Sequence, residues 1–208
     1  MGAAQGTVSY RLYRVEGGLP EDVLGTFHPA IQRHAFEALT PDAEEDSRTG
    51  WCVLGRLFDT ELSPEQVFRQ EYLSLSMRSD RWALPSLLLK ATLEERAEAY
   101  AREHGLLRLG RAQRELLREE VVREMKGQTL PAANLVDMVW NLDTGRLRFW
   151  SSSGRVNELF MELFEATFGL RLVPNSAYVA ALNAPLSEDA VAALDGLEQE
   201  SFGRWERG

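Results

Sequence analysis

The chain has 208 residues, 44% of them hydrophobic and 26% charged, with a net charge of −9. That profile fits one large folded domain or two small ones and excludes disorder over most of the length, because apolar side chains recur throughout. No apolar run approaches the ~20 residues of a membrane span, residues 1–6 lack the basic and apolar stretches of a secretory signal, and the single cysteine, Cys52, excludes an intrachain disulfide and points to the cytoplasm.

Residues 7–15 alternate, with Val8, Tyr10 and Leu12 on one face, and predict a strand that Gly17-Gly18 ends. A helix is expected from Pro20, with Glu21 and Asp22 in its first turn and Pro29 restarting or kinking it. Residues 40–50 read as a polar, acidic loop, and Trp51 to Leu57 as a second strand. Tyr72 to Arg78 is the clearest strand, with Leu73, Leu75 and Met77 on one face. Pro85 opens a helix whose Leu89, Leu93, Ala97, Tyr100 and His104 share a face. A second helix runs from Arg111 to Lys126.

Strands return at Asp137 to Leu142 and Arg146 to Trp150. A two-residue Thr144-Gly145 loop would pair Leu142 with Leu147 and Trp140 with Phe149. Met138, Trp140, Leu142, Leu147 and Phe149 then face the core, while Asn141, Arg146, Arg148 and Trp150 face away. Ser153 can cap a helix to Phe168 with a stripe of Val156, Leu159, Phe160, Leu163 and Phe164. Leu170 to Val173 reads as a last strand, and Tyr178–Leu182 and Val191–Leu197 as acidic helix. The order predicts an α+β fold: a mostly antiparallel sheet with packed helices and a protruding two-helix arm at about 85–126. Residues 1–182 form the expected single unit, and 183–208 an acidic helical tail.

Enzyme motifs are absent: there is no GxxxxGK[ST], GxGxxG or GxSxG. His28, His34 and His104 with one cysteine make no zinc set. No catalytic activity, metal or cofactor is expected, and Cys52 reads as a core residue.

Charge is distributed unevenly. Residues 1–47 carry 3 basic and 8 acidic side chains, residues 48–182 carry 18 of each, and residues 183–208 carry 2 and 6. Four acids cluster at Asp42, Glu44, Glu45 and Asp46. A generic basic nucleic-acid binder is disfavoured, but arginines concentrated on one surface remain compatible with this balance. Two arginine groups fit that description. Arg108, Arg111, Arg114, Arg118 and Arg123 line the second arm helix, either as phosphate contacts or as a solvated face laced by Arg111–Glu115 and Glu119–Arg123 pairs. Arg146, Arg148 and Trp150 with Asn141 form either a nucleic-acid face or an outer sheet face covered by another element.

These residues together resemble the recombination-associated RdgC family. The strongest stretch is Ala83-Leu84-Pro85-Ser86-Leu87-Leu88-Leu89-Lys90-Ala91-Thr92-Leu93-Glu94-Glu95-Arg96, similar to the segment that opens that family's arm. Gly50-Trp51, Leu116-Leu117-Arg118-Glu119-Glu120-Val121, Leu130-Pro131, Trp140-Asn141-Leu142-Asp143-Thr144-Gly145 and Gly169-Leu170-Arg171-Leu172-Val173-Pro174 follow in the family's order. The resemblance covers about residues 8 to 175 and the N-terminal two-thirds of family members. It implies a bacterial, cytoplasmic, nucleoid-associated protein that binds double-stranded DNA without sequence preference and modulates recombination; with a neutral core segment and acidic termini, that binding is expected to be weak and salt-sensitive. It also implies a homodimer. Leu130, Pro131 and Asn134 are the candidate contacts, with Asn134 where the family often carries an aromatic. Leu87, Leu88, Leu106, Leu107 and Leu109, which one arm helix pair can hardly bury alone, point the same way. A recombination protein is a candidate partner, and no membrane role is expected. The alternative is a protein-interaction module that keeps the fold without binding DNA.

Overall fold

The computed structural model describes residues 9–43 and 45–175. The segments 178–182 and 191–197, expected to be helical, lie outside the described residues. The order is β1 (Arg11–Glu16), α1 (Val23–Arg33), β2 (Ser47–Val53), α2 (Pro64–Val67), β3 (Phe68–Arg69), β4 (Tyr72–Arg81), α3 (Ser86–Glu103), α4 (Arg111–Gly127), β5 (Ala132–Asn141), β6 (Arg146–Phe149), α5 (Gly154–Phe168) and β7 (Arg171–Pro174). The strands form one antiparallel sheet in the order β2-β4-β5-β6-β1-β7, with β3 beside the start of β4. The fold is α+β, as expected.

Local chemistry sets the ends of the elements. Asp22 caps α1, its Oδ1 accepting from the Gly25 N–H at 2.7 Å, and Pro29 sits inside α1 without ending it. Gly169, at φ +66°, closes α5 in the left-handed conformation that only glycine adopts at no cost. β2 lies four residues earlier than its expected span. The reason is a turn: the Arg56 N–H donates to the Val53 carbonyl and the Val53 N–H to the Asp59 carbonyl, which folds the chain back after Val53. Gly50 permits a close crossing, since a Cβ there would stand 2.5 Å from Phe36 Cα.

The β5–β6 register differs from the expected one. Trp140 pairs with Leu147 and Met138 with Phe149. Asn141 is the cause. Its Oδ1 accepts from the Thr144 N–H at 2.8 Å and the Thr144 hydroxyl at 2.7 Å, building a turn that takes up two more residues. Because the slip is two residues, every side chain keeps its expected face.

One face of the sheet packs under α1 and α5. Phe160 of α5 stacks on Phe149 with centroids 3.9 Å apart, and Phe164 and Phe168 meet Trp140 edge-on. Two buried polar links cross this interface: the Tyr13 hydroxyl donates to Asn157 Oδ1 at 2.5 Å, and Trp51 Nε1 donates to Thr167 Oγ1 at 2.9 Å. The α5 stripe is therefore rotated from the expected one. Asn157, Phe160, Phe164, Thr167 and Phe168 are buried, and Val156, Leu159 and Leu163 only partly.

α3 and α4 form a helical pair inserted between adjacent strands, since Arg81 at the end of β4 pairs with Ala132 at the start of β5. No residue of α3 is buried, and α4 buries Val121, Met125 and Lys126 near its C-terminal end. That end is fastened to the acidic loop: Lys126 Nζ stands 2.9 Å from Asp46 Oδ1, and Arg123 Nε 3.4 Å from Asp42 Oδ1. Asp42, Glu45 and Asp46 thus serve local cations, with Glu45 taking Arg48 at 2.6 Å.

Candidate nucleic-acid interface

Residues directly opposite in antiparallel strands share a face. On the face turned away from α1 and α5, the register aligns Arg69, Tyr72, Asn141, Arg146, Arg14 and Val173 in one row. The neighbouring row holds Ser74, Val139, Arg148 and Leu12, and continues to Asn175, whose N–H donates to the Leu12 carbonyl at 2.8 Å. Neither row contains an acidic residue. Arg14, Arg146 and Arg148 are exposed, and among the described residues none of them forms an ion pair.

Beyond these rows lies an aromatic pair. Tyr10 and Trp150 have ring centroids 5.8 Å apart, and the Arg148 guanidinium stands 6.0 Å from the Tyr10 centroid. Tyr10 is 43% exposed. Fixed guanidinium groups beside an accessible ring can meet phosphates and a stacked base or sugar together.

The outer face is covered only in part. Over β2 and β4 the loop after Val53 closes it: the Gly55 N–H donates to Ser76 Oγ, and Arg78 Nη1 donates to the Leu57 carbonyl. Arg78 also forms a two-point pair with Asp80, at 2.9 and 2.6 Å, which raises its pKa further. Cys52 lies under this cover. Burial pushes its thiol up to about 11, although Arg78 pulls the other way. Ser76 donates to Asp137 Oδ1 at 2.5 Å in the same layer. Over β6 and β1, Arg14, Arg146 and Arg148 are exposed, so among the described residues that surface is accessible.

The arm arginines are placed differently. Arg108, Arg111, Arg114 and Arg118 are exposed on and before α4. Arg114 and Arg118 line a groove of about 690 Å³ between α3 and α4, facing Lys90, Glu94, Glu98 and Glu115. Lys90 pairs with Glu94 at 3.8 Å and Arg96 with Glu124 at 2.8 Å, and Arg123 takes Asp42 rather than Glu119. Acids therefore interrupt the arm surface. Seven residue steps along β5 separate Val139 from Ala132, about 24 Å at strand rise, so the sheet and arm arginines do not merge into one patch.

Leu130 and Pro131 sit where the chain enters β5, at the base of the helical pair, and its far end is the 104–110 turn. Leu130 is 92% exposed, and Asn134 is exposed on β5. Leu87 and Leu107 are open to solvent, whereas Leu109 is buried. Sequence reasoning missed Arg14, Arg69 and Tyr10. The β1 alternation was visible, but the core takes Tyr13, not the Tyr10–Leu12 face.

Among the described residues, no cluster of His, Cys, Asp and Glu is placed to hold a metal, and no helix is long and apolar enough to cross a membrane. Comparison with protein-family models and with curated proteins finds no match to this chain.

Proposed function

We propose that the chain binds double-stranded DNA without sequence preference, through the open outer face of the sheet, as an RdgC-like nucleoid protein that modulates recombination. The observation that carries this reading is the pair of acid-free rows holding Arg14, Arg146 and Arg148 beside Tyr10 and Trp150. Phosphate contacts from such groups supply affinity without base information. The test is anisotropy with duplexes of unrelated sequence at low salt. Equal binding to all of them, abolished by R14A/R146A/R148A, is expected. No binding at low salt overturns the reading.

A second reading is a protein-interaction module. It is favoured by the α3–α4 groove, where both signs of charge flank Leu89, Leu93 and Leu117, and by the exposed Leu87, Leu107 and Leu116. Self-association through this pair, or through Leu130, Pro131 and Asn134, belongs to the proposal and is read by light scattering at high micromolar concentration.

A further inference from the structure

The arginine rows end on two aromatic rings, and phosphate contacts alone give those rings no role. In the β1–β6 register Arg11 pairs with Phe149, and one step further brings Tyr10 opposite Trp150. Their centroids are 5.8 Å apart and their planes are inclined by 48°, so neither ring closes the face of the other. Tyr10 is exposed, and Trp150 is half-buried and packs against the core. The two segments are pinned in place. The Trp150 N–H donates to the Asp137 carbonyl at 3.0 Å, and Arg11 Nη2 donates to the Ser152 carbonyl at 3.2 Å. Asp137, the acid that the β5–β6 register places in this row, is buried and its Oδ1 accepts from the Ser76 hydroxyl. Arg146, Arg148 and Trp150 occupy alternate positions, about 6.7 Å apart at strand rise. That is close to the separation of successive phosphates along one DNA strand.

We propose that Tyr10 and Trp150 form a stacking site for one unpaired base, so that the face prefers DNA with a single-stranded gap over an intact duplex. The inference rests on the DNA-binding reading and adds a ligand class to it. In an intact duplex the bases are stacked inside, and bringing one out costs unpairing and unstacking. In a gap the base is already turned loose. With its phosphates on Arg146 and Arg148, such a base meets the rings directly, and the Arg148 guanidinium stands 6.0 Å from the Tyr10 centroid. Every base has a π-face, so stacking adds affinity without adding sequence preference.

Anisotropy at low salt with the full-length chain tests this on duplexes of equal length. One is intact, one has a short gap opposite thymidines, and one has the same gap opposite abasic residues. The gapped pair presents the same phosphates and differs only in the bases. The thymidine gap is expected to bind about tenfold tighter than the abasic gap, within the range of one base–aromatic stack. Tyr10→Ala should bring that ratio down to about one, and Tyr10→Phe should keep it, because stacking needs the ring and not the hydroxyl. The ratio is internal to each variant, so a general loss of affinity does not mimic the effect. Equal binding of the two gaps overturns the inference and leaves DNA binding standing. A ratio that survives Tyr10→Ala also overturns it. Binding to the thymidine gap alone supports the stacking site and removes the duplex reading instead. No binding to any of the duplexes overturns both.

Discussion

Arg14 of β1 stands directly opposite Arg146 of β6 on the open face of the sheet. Like charges facing each other across antiparallel strands are destabilising, by roughly 0.2–1 kcal/mol. No acid in either row relieves them, and Arg148 adds a third guanidinium one row away. Folding alone gives no reason for this arrangement. An anionic partner does, because binding it turns three repulsions into three attractions.

Replacing one of the pair should therefore separate stability from binding. Arg146→Thr keeps strand propensity and removes the repulsion. The urea midpoint should rise, corresponding to a few tenths up to about 1 kcal/mol, with an unchanged slope. DNA affinity should fall in the same variant. A lower midpoint would show that Arg146 contributes stability through its packing and that the pair is not strained.

Lys126 is one of two cations that tie the end of α4 to the acidic loop before β2. Its side chain is 6% exposed while Asp46, its partner, is 79% exposed, and its Nζ lies 5.9 Å from the Trp82 ring centroid. The two single substitutions are not equivalent. Lys126→Met keeps the stem's packing and removes a charge, and should cost under about 1 kcal/mol. Asp46→Ala leaves a buried ammonium without its partner and should cost about 1–3 kcal/mol. Chemical denaturation of both variants checks the order. A larger loss for Lys126→Met would mean that the ion pair itself holds α4 in place.

Cys52 should be inert in the folded protein. Burial raises its thiol pKa from 9.0 to about 11. The neutral thiol is thus the folded form at pH 8, and aromatic disulfide reagents should label it only after unfolding. The linkage has a definite sign. The unfolded chain releases this proton near pH 9 and the folded chain near 11, so stability falls as pH rises through that window and is flat below it. Cys52→Ala should remove this part of the alkaline loss. Rapid native labelling at pH 8 would contradict the buried placement.

The sequence displays period and face more clearly than it displays register or cover. Alternation in Tyr72–Arg78 and helical spacing in 86–103 and 111–126 are local properties, and those elements form where expected. The β5–β6 slip came from Asn141, whose amide captures Thr144. A single side chain decided it, and no hydrophobic pattern records it. The face of β1 was ambiguous because Tyr10, Leu12, Tyr13 and Val15 supply apolar residues to both sides. Arg14 belongs to the site through the pairing of β6 with β1, a contact more than 130 residues apart in sequence. Asp42 and Asp46 read as part of a loop because their partners, Arg123 and Lys126, come about 80 residues later in the chain, at the end of α4.

Salt dependence should distinguish the sheet arginines from those of the arm. Each neutralised phosphate contributes about −0.9 to the slope of log affinity against log salt. With few free guanidiniums on the face, the wild type should show ~3–5 contacts and lose binding toward physiological salt. Arg146→Ala with Arg148→Ala removes two cations that form no ion pair among the described residues and should shallow the slope by about two contacts, equally on any sequence. Arg114→Ala with Arg118→Ala removes cations that share a groove with Glu94, Glu98 and Glu115. Acids that line the same groove lower its local positive potential, so the slope should change by less than about one contact. Salt titrations of both double variants by anisotropy decide the point. Should the arm pair carry the larger slope change, the DNA path runs along α4, and the open sheet face is not the binding surface.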